Sequence, residues 1–259
     1  MHVVVTGASS GIGEAIAREY LSRGAAVTLI ARRRQLLEAI AAAAPAGRTY
    51  VLDRDLSDPA AAPAVLAAAE AALGPIDVLI NNAGVQIVAP TSTTDPEAGA
   101  RLLLLDLHTP LRLTQAALPA MIERGAGTIV DIASVAGLAP TPGMYYYNAA
   151  KAGLGAASEG LRGELRPYGV HVVTVYPGPV ESAMEAAARE RYESSGTVDR
   201  LPTGKPAILA RMIADAVESR RPRVIYPWVY RLTRHFPNLT RWLTDAMTPR
   251  LRGAPPPRG

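Results

Sequence analysis

Ten tyrosines but only two lysines occur in the chain, so a lysine one helical turn beyond a tyrosine is worth reading as chemistry. Three tyrosines run together at Tyr145, Tyr146 and Tyr147, and only Tyr147 has a lysine, Lys151, four residues on. A carbonyl that accepts hydride becomes an alkoxide, which needs a proton and a hydrogen-bond donor. Tyr147 can give the first and Ser134 the second. A free phenol titrates near pH ~10, and bringing it to ~7 takes about 4 kcal/mol of phenolate stabilisation. A Lys151 ammonium can supply much of that while also bonding a ribose. Taken singly, a tyrosine packing its ring and a solvated lysine are the plain alternatives.

A second constellation fits a hydride carrier. Thr6-Gly7-Ala8-Ser9-Ser10-Gly11-Ile12-Gly13 follows an opening β-branched run and precedes a helical stretch ending near Arg23-Gly24. Gly7, Gly11 and Gly13 let the backbone, with Ser9, Ser10 and Ile12, turn tightly against a pyrophosphate, and free amides at the helix start attract its charge. The next strand-like run ends in Ala31-Arg32-Arg33-Arg34, where an NAD enzyme usually places an acid for the ribose hydroxyls. Arg32 and Arg33 suit a 2′-phosphate through forked, charge-assisted bonds, so NADP(H) is the expected cofactor. Arg34 reads as a solvated helix start.

Short β-branched runs alternate with Ala/Leu-rich stretches at helical spacing, the pattern of repeated βαβ units. Strands are expected at His2–Val5, Ala26–Ala31, Thr49–Asp53, Asp77–Asn81, Thr128–Ala133, His171–Tyr176 and Arg223–Tyr226. They predict an α/β fold: one Rossmann-type, doubly wound, seven-stranded parallel sheet with helices on both faces. Within Ala39–Ala72, Pro45-Ala46-Gly47 and Asp58-Pro59 divide what looks like low complexity into helix, strand and helix. The 259 residues suit one large domain. Residues 1–226 are expected to form the nucleotide-binding catalytic domain, 227–252 an aromatic and basic extension, and 253–259 a disordered tail.

Composition removes several chemistries. Without cysteine there is no disulfide, thiolate metal site or cysteine nucleophile, and His2, His108, His171 and His235 are too scattered for a metal motif, so none is expected. No apolar run reaches the ~18 residues of a membrane span, and the start of the chain lacks the pattern of an export signal, so a cytoplasmic protein is expected. The net charge of +4 resides in Trp228–Arg252, where Arg231, Arg234, Arg241, Arg250 and Arg252 face one acid, Asp245. The rest of the chain is neutral, and no nucleic-acid groove is expected.

Taken in order, the glycine loop Thr6–Gly13, Asp55-Leu56, Asn81-Asn82-Ala83-Gly84, Ser134, Tyr147-Asn148-Ala149-Ala150-Lys151 and Pro177-Gly178-Pro179-Val180 resemble the short-chain dehydrogenase/reductase family over nearly all of residues 1–226. The resemblance implies Asp55 at the adenine amino group, with Leu56 beside it, and Asn82, Ala83 and Gly84 supporting the central strand and the ribose. It implies Pro177, Gly178 and Val180 at the nicotinamide carboxamide, with Ser182 where the family often has threonine. It also implies Ser134, Tyr147 and Lys151 as the catalytic group and a homodimer or homotetramer built on the helices holding Asp106–Arg124 and Tyr147–Arg166.

One position departs from the pattern. Asp106 stands 28 residues before Ser134, where the family has an asparagine thought to hold a water between the lysine and solvent. A carboxylate can accept from that water but lacks the amide's donor and adds negative charge. A cofactor-binding regulator or scaffold with impaired turnover therefore stands as an alternative, and so does a non-redox epimerase or dehydratase.

Substrate identity rests on Pro179–Pro202, which resembles the family's substrate loop. Its Ala183, Met184, Ala186, Ala187, Ala188 and Tyr192 suit a small lipophilic carbonyl or alcohol, or else one buried face of an amphipathic helix. In Trp228–Arg252, aromatics interleaved with arginines suit peripheral contact with a membrane interface. Pro227, Pro237 and Pro249 break that segment, which favours a helical extension covering the substrate mouth or a partner subunit.

Overall fold

The β-branched runs lie side by side. In the computed structural model, which describes residues 1–193 and 202–254, β1 (His2–Thr6), β2 (Ala26–Ala31), β3 (Thr49–Asp53), β4 (Val78–Asn81), β5 (Gly127–Ile132), β6 (Val170–Pro177) and β7 (Arg223–Tyr226) form one sheet. All neighbours are parallel, in the order β3-β2-β1-β4-β5-β6-β7. No strand end differs from its expected place by more than one residue.

Parallel strands need helical crossovers, and these cover both faces. Val3 and Val5 of β1 pack with Ile16 and Tyr20 of α1 (Gly11–Ser22) and with Leu209 and Ile213 of a later helix, Pro206–Glu218. Val4, pointing the opposite way, packs with Leu66 of α3 (Ala62–Leu73) and Leu113 and Met121 of α5 (Thr109–Glu123). Between α1 and α3 lies α2 (Arg34–Ala42). Pro59 opens the turn before α3, and Asp58 caps it by accepting from the Ala60 amide, so the alanine-rich stretch is divided as its turn residues required.

The helix after β4 is not uniform. α4 (Pro96–Leu103) runs into α5 through a π-turn, Leu104–His108, that sets Asp106 inward. Such single-turn bulges often occur at functional sites. The resemblance implies a helix holding Asp106–Arg124, and the π-turn at its start departs from regular α-helix. The remaining helices are α6 (Tyr145–Leu165), α7 (Ala183–Arg189), α8 (Pro206–Glu218), α9 (Leu232–His235) and α10 (Pro237–Met247).

Beyond β7 the chain leaves the sheet. Pro237 occupies the first turn of α10, where its missing N–H costs nothing, so it starts a helix instead of interrupting one. Residues 194–201 of the substrate loop and 255–259 of the tail lie outside the described residues. Among the described residues no helix is long and apolar enough to cross a membrane.

Candidate active site

Strand order reverses between β1 and β4, and a cleft of about 390 Å³ opens past the C-terminal ends of the strands. All the residues singled out for catalysis or cofactor binding border it, from Gly7 through Arg32, Asp55, Asn82, Asp106 and Ser134 to Ser182.

At the nucleotide end, Gly7 has φ +68°, and a Cβ on it would stand 2.8 Å from Ala83 Cα. A Cβ on Gly13 would stand 2.2 Å from the Gly7 carbonyl oxygen. Neither position admits a side chain, so the loop lies close against the end of β4. Thr6 fastens the two: its hydroxyl donates to the Ile80 carbonyl (3.1 Å) and accepts from the Asn82 and Ala83 amides (2.9 and 3.0 Å). Asn82 Nδ2 in turn donates to the Thr6 carbonyl at 2.9 Å. Sequence reasoning passed over Thr6, although a polar residue ending a Val-Val-Val strand was the available signal.

The start of α1 is prepared for an anion. Ser10 sits at the capping position yet makes no side-chain cap; its hydroxyl accepts from Arg33 Nη2 at 2.7 Å, as Ser9 does at 2.9 Å. Asp95 and Ser182, by contrast, cap α4 and α7. The leading amides of α1 are therefore left without a side-chain acceptor, which fits the pyrophosphate of a dinucleotide. Arg32 lies 3.9 Å from Asp55, both largely exposed, while Arg34 turns to Glu38 (2.7 Å) and Asp53 (3.4 Å). One Asp55 oxygen accepts from the hydroxyl and amide of Ser57, bonds that hold its carboxyl below the ordinary range. Leu56 directs its side chain into the core and presents backbone here; its carbonyl accepts from Thr109 at 2.7 Å.

At the other end, the three consecutive tyrosines separate. Tyr145 is 62% exposed, Tyr146 lays its ring on Gly99 of α4, and Tyr147 alone borders the cleft. Ser134, following β5, accepts from the Ala136 amide at 3.1 Å and donates to the Pro177 carbonyl at 3.4 Å. Lys151 lies buried one turn beyond Tyr147, its Nζ 5.7 Å from that ring's centroid and donating to the Ile132 carbonyl at 3.2 Å. Nζ also stands 3.1 Å from Asp106 Oδ2, with the Asp106 side chain wholly enclosed. The other Asp106 oxygen accepts from the Val85 amide at 2.8 Å. Oδ2 has no aligned hydrogen bond, so the lysine holds it by charge. Gly84 gives this carboxylate room, since a Cβ there would come within 2.5 Å of Oδ2.

These charges set the proton affinities. Tyr147 keeps part of its surface open to the cleft, but protein crowds its other sides, and this burial pushes the phenol above its ordinary pKa. Lys151 and Ser134 pull it down; Asp106 and Glu185 push it further up. The lysine acts downward, as its charge implies, but burial and Asp106 outweigh it. Burial also opposes the Lys151 charge, but Asp106 and Tyr147 outweigh it and hold the ammonium above its usual range. Burial raises Asp106 in spite of the lysine. Protons are thus held tightly at this end of the cleft.

Ser182 caps α7, its hydroxyl accepting from the Glu185 amide at 3.1 Å. Glu185 itself borders the cleft, its carboxyl raised by burial, and was missed although Ser182-x-x-Glu185 is a capping-box spacing. Ala183 and Met184 border the cleft too, whereas Ala188 turns away to pack with Val88 and Tyr192, so the two readings of that segment divide it between them. Behind the site, burial raises Asp131 to about 6, and it accepts from Asn81 Nδ2 at 2.8 Å. Among the described residues no three His, Asp or Glu side chains converge as a metal site would require.

The architecture is that of a doubly wound nucleotide-binding protein with its cleft at the strand-order switch. Residues 1–193 match the family model for short chain dehydrogenases, and the chain belongs to the short-chain dehydrogenase/reductase family. It is 36% identical over 187 residues to a short chain dehydrogenase of Pseudocercospora fijiensis, a match spanning 71% of this chain and 60% of that relative. It is 35% identical over 230 residues to a fatty acyl-CoA reductase of Mycobacterium tuberculosis, covering 86% of this chain and 75% of that one. Among solved structures, a short-chain dehydrogenase from Streptomyces avermitilis superposes with TM-score 0.80 at 34% identity, over 94% of each chain. Actinorhodin polyketide ketoreductase with NADPH gives 0.79 at 30% identity, over 87% and 95%. A Brucella melitensis 3-ketoacyl-(acyl-carrier-protein) reductase complexed with NADH shares the fold at 24% identity and TM-score 0.78, so both cofactor types occur among these neighbours.

Proposed function

We propose that this protein is an NADP(H)-dependent oxidoreductase that interconverts a carbonyl and an alcohol, with Tyr147 as the general acid in reduction. The observation that carries the reading is that Tyr147, Ser134 and Lys151 border the same cleft as an α1 N-terminus lacking a side-chain cap. When bound, the cofactor supplies or accepts a hydride at its nicotinamide. The chain's own residues handle the rest. In reduction, the carbonyl π pair moves to oxygen as hydride reaches carbon, Ser134 donates a hydrogen bond to that oxygen, and Tyr147 releases its proton to it. Burial and Asp106 keep the phenol protonated until substrate oxygen takes its proton, and the Lys151 charge, which acts in the opposite direction, favours that release. Lys151, fixed by Asp106 and the Ile132 carbonyl, stabilises the phenolate left behind.

Arg33, already seated on Ser9 and Ser10 at the loop, and Arg32, at the end of β2, support the preference for a 2′-phosphate. Asp55, Asn82, Gly84, Pro177, Gly178, Val180 and Ser182 line the remaining cofactor path. Met144, Ala183 and Met184 add apolar surface to the cleft, and the name of the fatty acyl-CoA reductase relative agrees with a lipophilic carbonyl substrate. Assembly as a homodimer or homotetramer through α5 and α6 completes the proposal. The Asp106–Lys151 pair favours one other reading, a cofactor-binding scaffold in which the ammonium is committed to aspartate and turnover is impaired.

Calorimetric titration with NADPH and NADH, followed by NADPH oxidation with aliphatic aldehydes and ketones of increasing length, tests this. Tighter NADPH binding and stoichiometric oxidation are expected. Equal affinities defeat the cofactor assignment, and binding without turnover on any carbonyl leaves the scaffold.

A further inference from the structure

Amphipathic helices normally turn their apolar stripe to the core. In α10 the stripe points the other way. Leu239 is 54% and Trp242 64% exposed, Leu243 and Met247 are exposed as well, and no residue of the helix is buried. At 100° per residue, Trp242, Ala246, Leu239, Leu243 and Met247 share an arc of roughly 140°. Thr240 and Thr244, beside that arc, are the residues half-covered by protein, and their hydroxyls bond back to Phe236 and Thr240 carbonyls. The preceding turns continue the theme at fourfold spacing, with Trp228, Leu232 and Phe236 at 76%, 47% and 54% exposure.

The segment is held firmly despite this exposure. At its start the Tyr230 ring fills the space beside Gly178 on the cleft wall, and the buried Thr233 donates to the Tyr230 carbonyl. At its end Leu251 packs on Gly143 and joins Met144 and Tyr192, while Arg252 Nε donates to the Tyr192 carbonyl at 2.9 Å. Both anchors therefore touch segments that border the cleft.

Charge decides what covers the stripe. Arg231, Arg234, Arg241, Arg250 and Arg252 are all exposed, and among the described residues only Arg234 has a carboxylate in reach, Glu159 at 3.4 Å. A second copy docking here would set arginine against arginine. A nucleic acid would meet the arginines but leave Leu239, Leu243 and Met247 in water. A lipid surface bearing phosphates satisfies both halves, since rings and aliphatic chains enter the acyl boundary while guanidinium groups stay at headgroup depth. We propose that Trp228–Met247 is a docking surface for an anionic membrane, and that its two anchors set the cleft beside the bilayer.

Full-length protein is mixed with sucrose-loaded vesicles of phosphatidylcholine, with or without phosphatidylglycerol, and sedimented. Binding to the anionic vesicles is expected at low salt, weaker on phosphatidylcholine alone and weaker as salt rises. The variant Leu239→Ser/Trp242→Ser/Leu243→Ser should lose about tenfold or more of the partition, and Arg231→Glu/Arg241→Glu a similar amount. Both keep the thermal midpoint, because no altered side chain is buried. The proposal is overturned if the full chain stays in the supernatant with anionic vesicles at low salt, or if the serine variant still binds them. It is equally overturned if light scattering shows that the serine variant dissociates an oligomer, since the stripe is then a subunit contact.

Discussion

The catalytic end of the cleft and the C-terminal extension both reverse the usual sorting of residues. In the cleft, Lys151 and Asp106 put two charges inside the protein; in the extension, Trp228, Leu239 and Trp242 put apolar groups outside it. The charges find their compensation within the chain, in one another, the Val85 amide and the Ile132 carbonyl. The apolar groups find none among the described residues. The two places share inverted sorting, but only in the cleft is the compensating partner already part of the fold. α8 sharpens the point. Like α10 it opens with proline and is amphipathic, yet Leu209, Ala210, Ile213, Ala214 and Ala216 are fully buried. Local pattern makes a helix, and only a neighbouring surface decides which way it faces.

The largest effect that would sharpen this contrast lies at the phenol. Tyr147→Phe should lower turnover by about 10²–10⁴-fold with NADPH binding intact, whereas Tyr146→Phe, away from the cleft, keeps near-normal turnover. Comparable turnover losses in the two would break the assignment.

Next is stability. Asp106→Ala leaves a buried ammonium without its partner and should cost about 3–5 kcal/mol in urea titrations followed by circular dichroism. Leu243→Asp, on the exposed stripe, should stay within about 0.5 kcal/mol. Equal losses would mean that the stripe is covered in solution.

Asp106→Asn keeps the shape but removes a charge that raises the Tyr147 pKa. In alcohol oxidation the phenol must first lose its proton, so the rising limb of the pH–rate profile should move to lower pH in this variant. A limb that stays in place, or moves up, shows that Asp106 does not act on the phenol.

The smallest effect belongs to Glu159, on α6, which the extension reaches through Arg234. Burial opposes its charge, but Arg223 and Arg162 prevail and depress its carboxyl to about 2, with Arg234 of the extension also in contact. A depressed carboxyl contributes stability that is complete above its unfolded pKa near ~4.3 and is lost as pH falls towards 2. Glu159→Gln should therefore lower the thermal midpoint at neutral pH and flatten its dependence over that acid window. An unchanged acid slope would place the acid sensitivity elsewhere.

Much of this was legible in the residues themselves. Seven β-branched runs marked the seven strands because parallel strands covered on both faces must be apolar throughout. Tyr147 stood apart from its neighbours because only it has Lys151 a turn away. The π-turn at Leu104–His108 was not legible, since the phase shift from one extra residue falls within a single turn, too short a window for a change of period to show. Nor was the Asp106–Lys151 contact, which joins residues 45 positions apart through tertiary packing. The outward face of α10 was hidden for another reason, because an amphipathic pattern states that a helix has two faces and is silent on which one meets the protein.

Both tryptophans of the chain, Trp228 and Trp242, lie outside the folded core. Indole emission will therefore already be that of a water-exposed group in the native protein, and it will change little when the sheet melts. Conventional fluorescence-based denaturation would make a well-folded sample look featureless. The buried ring of Tyr20, between α1 and the sheet, is the better intrinsic witness to loss of the core, which leaves the indoles free to report on the extension alone.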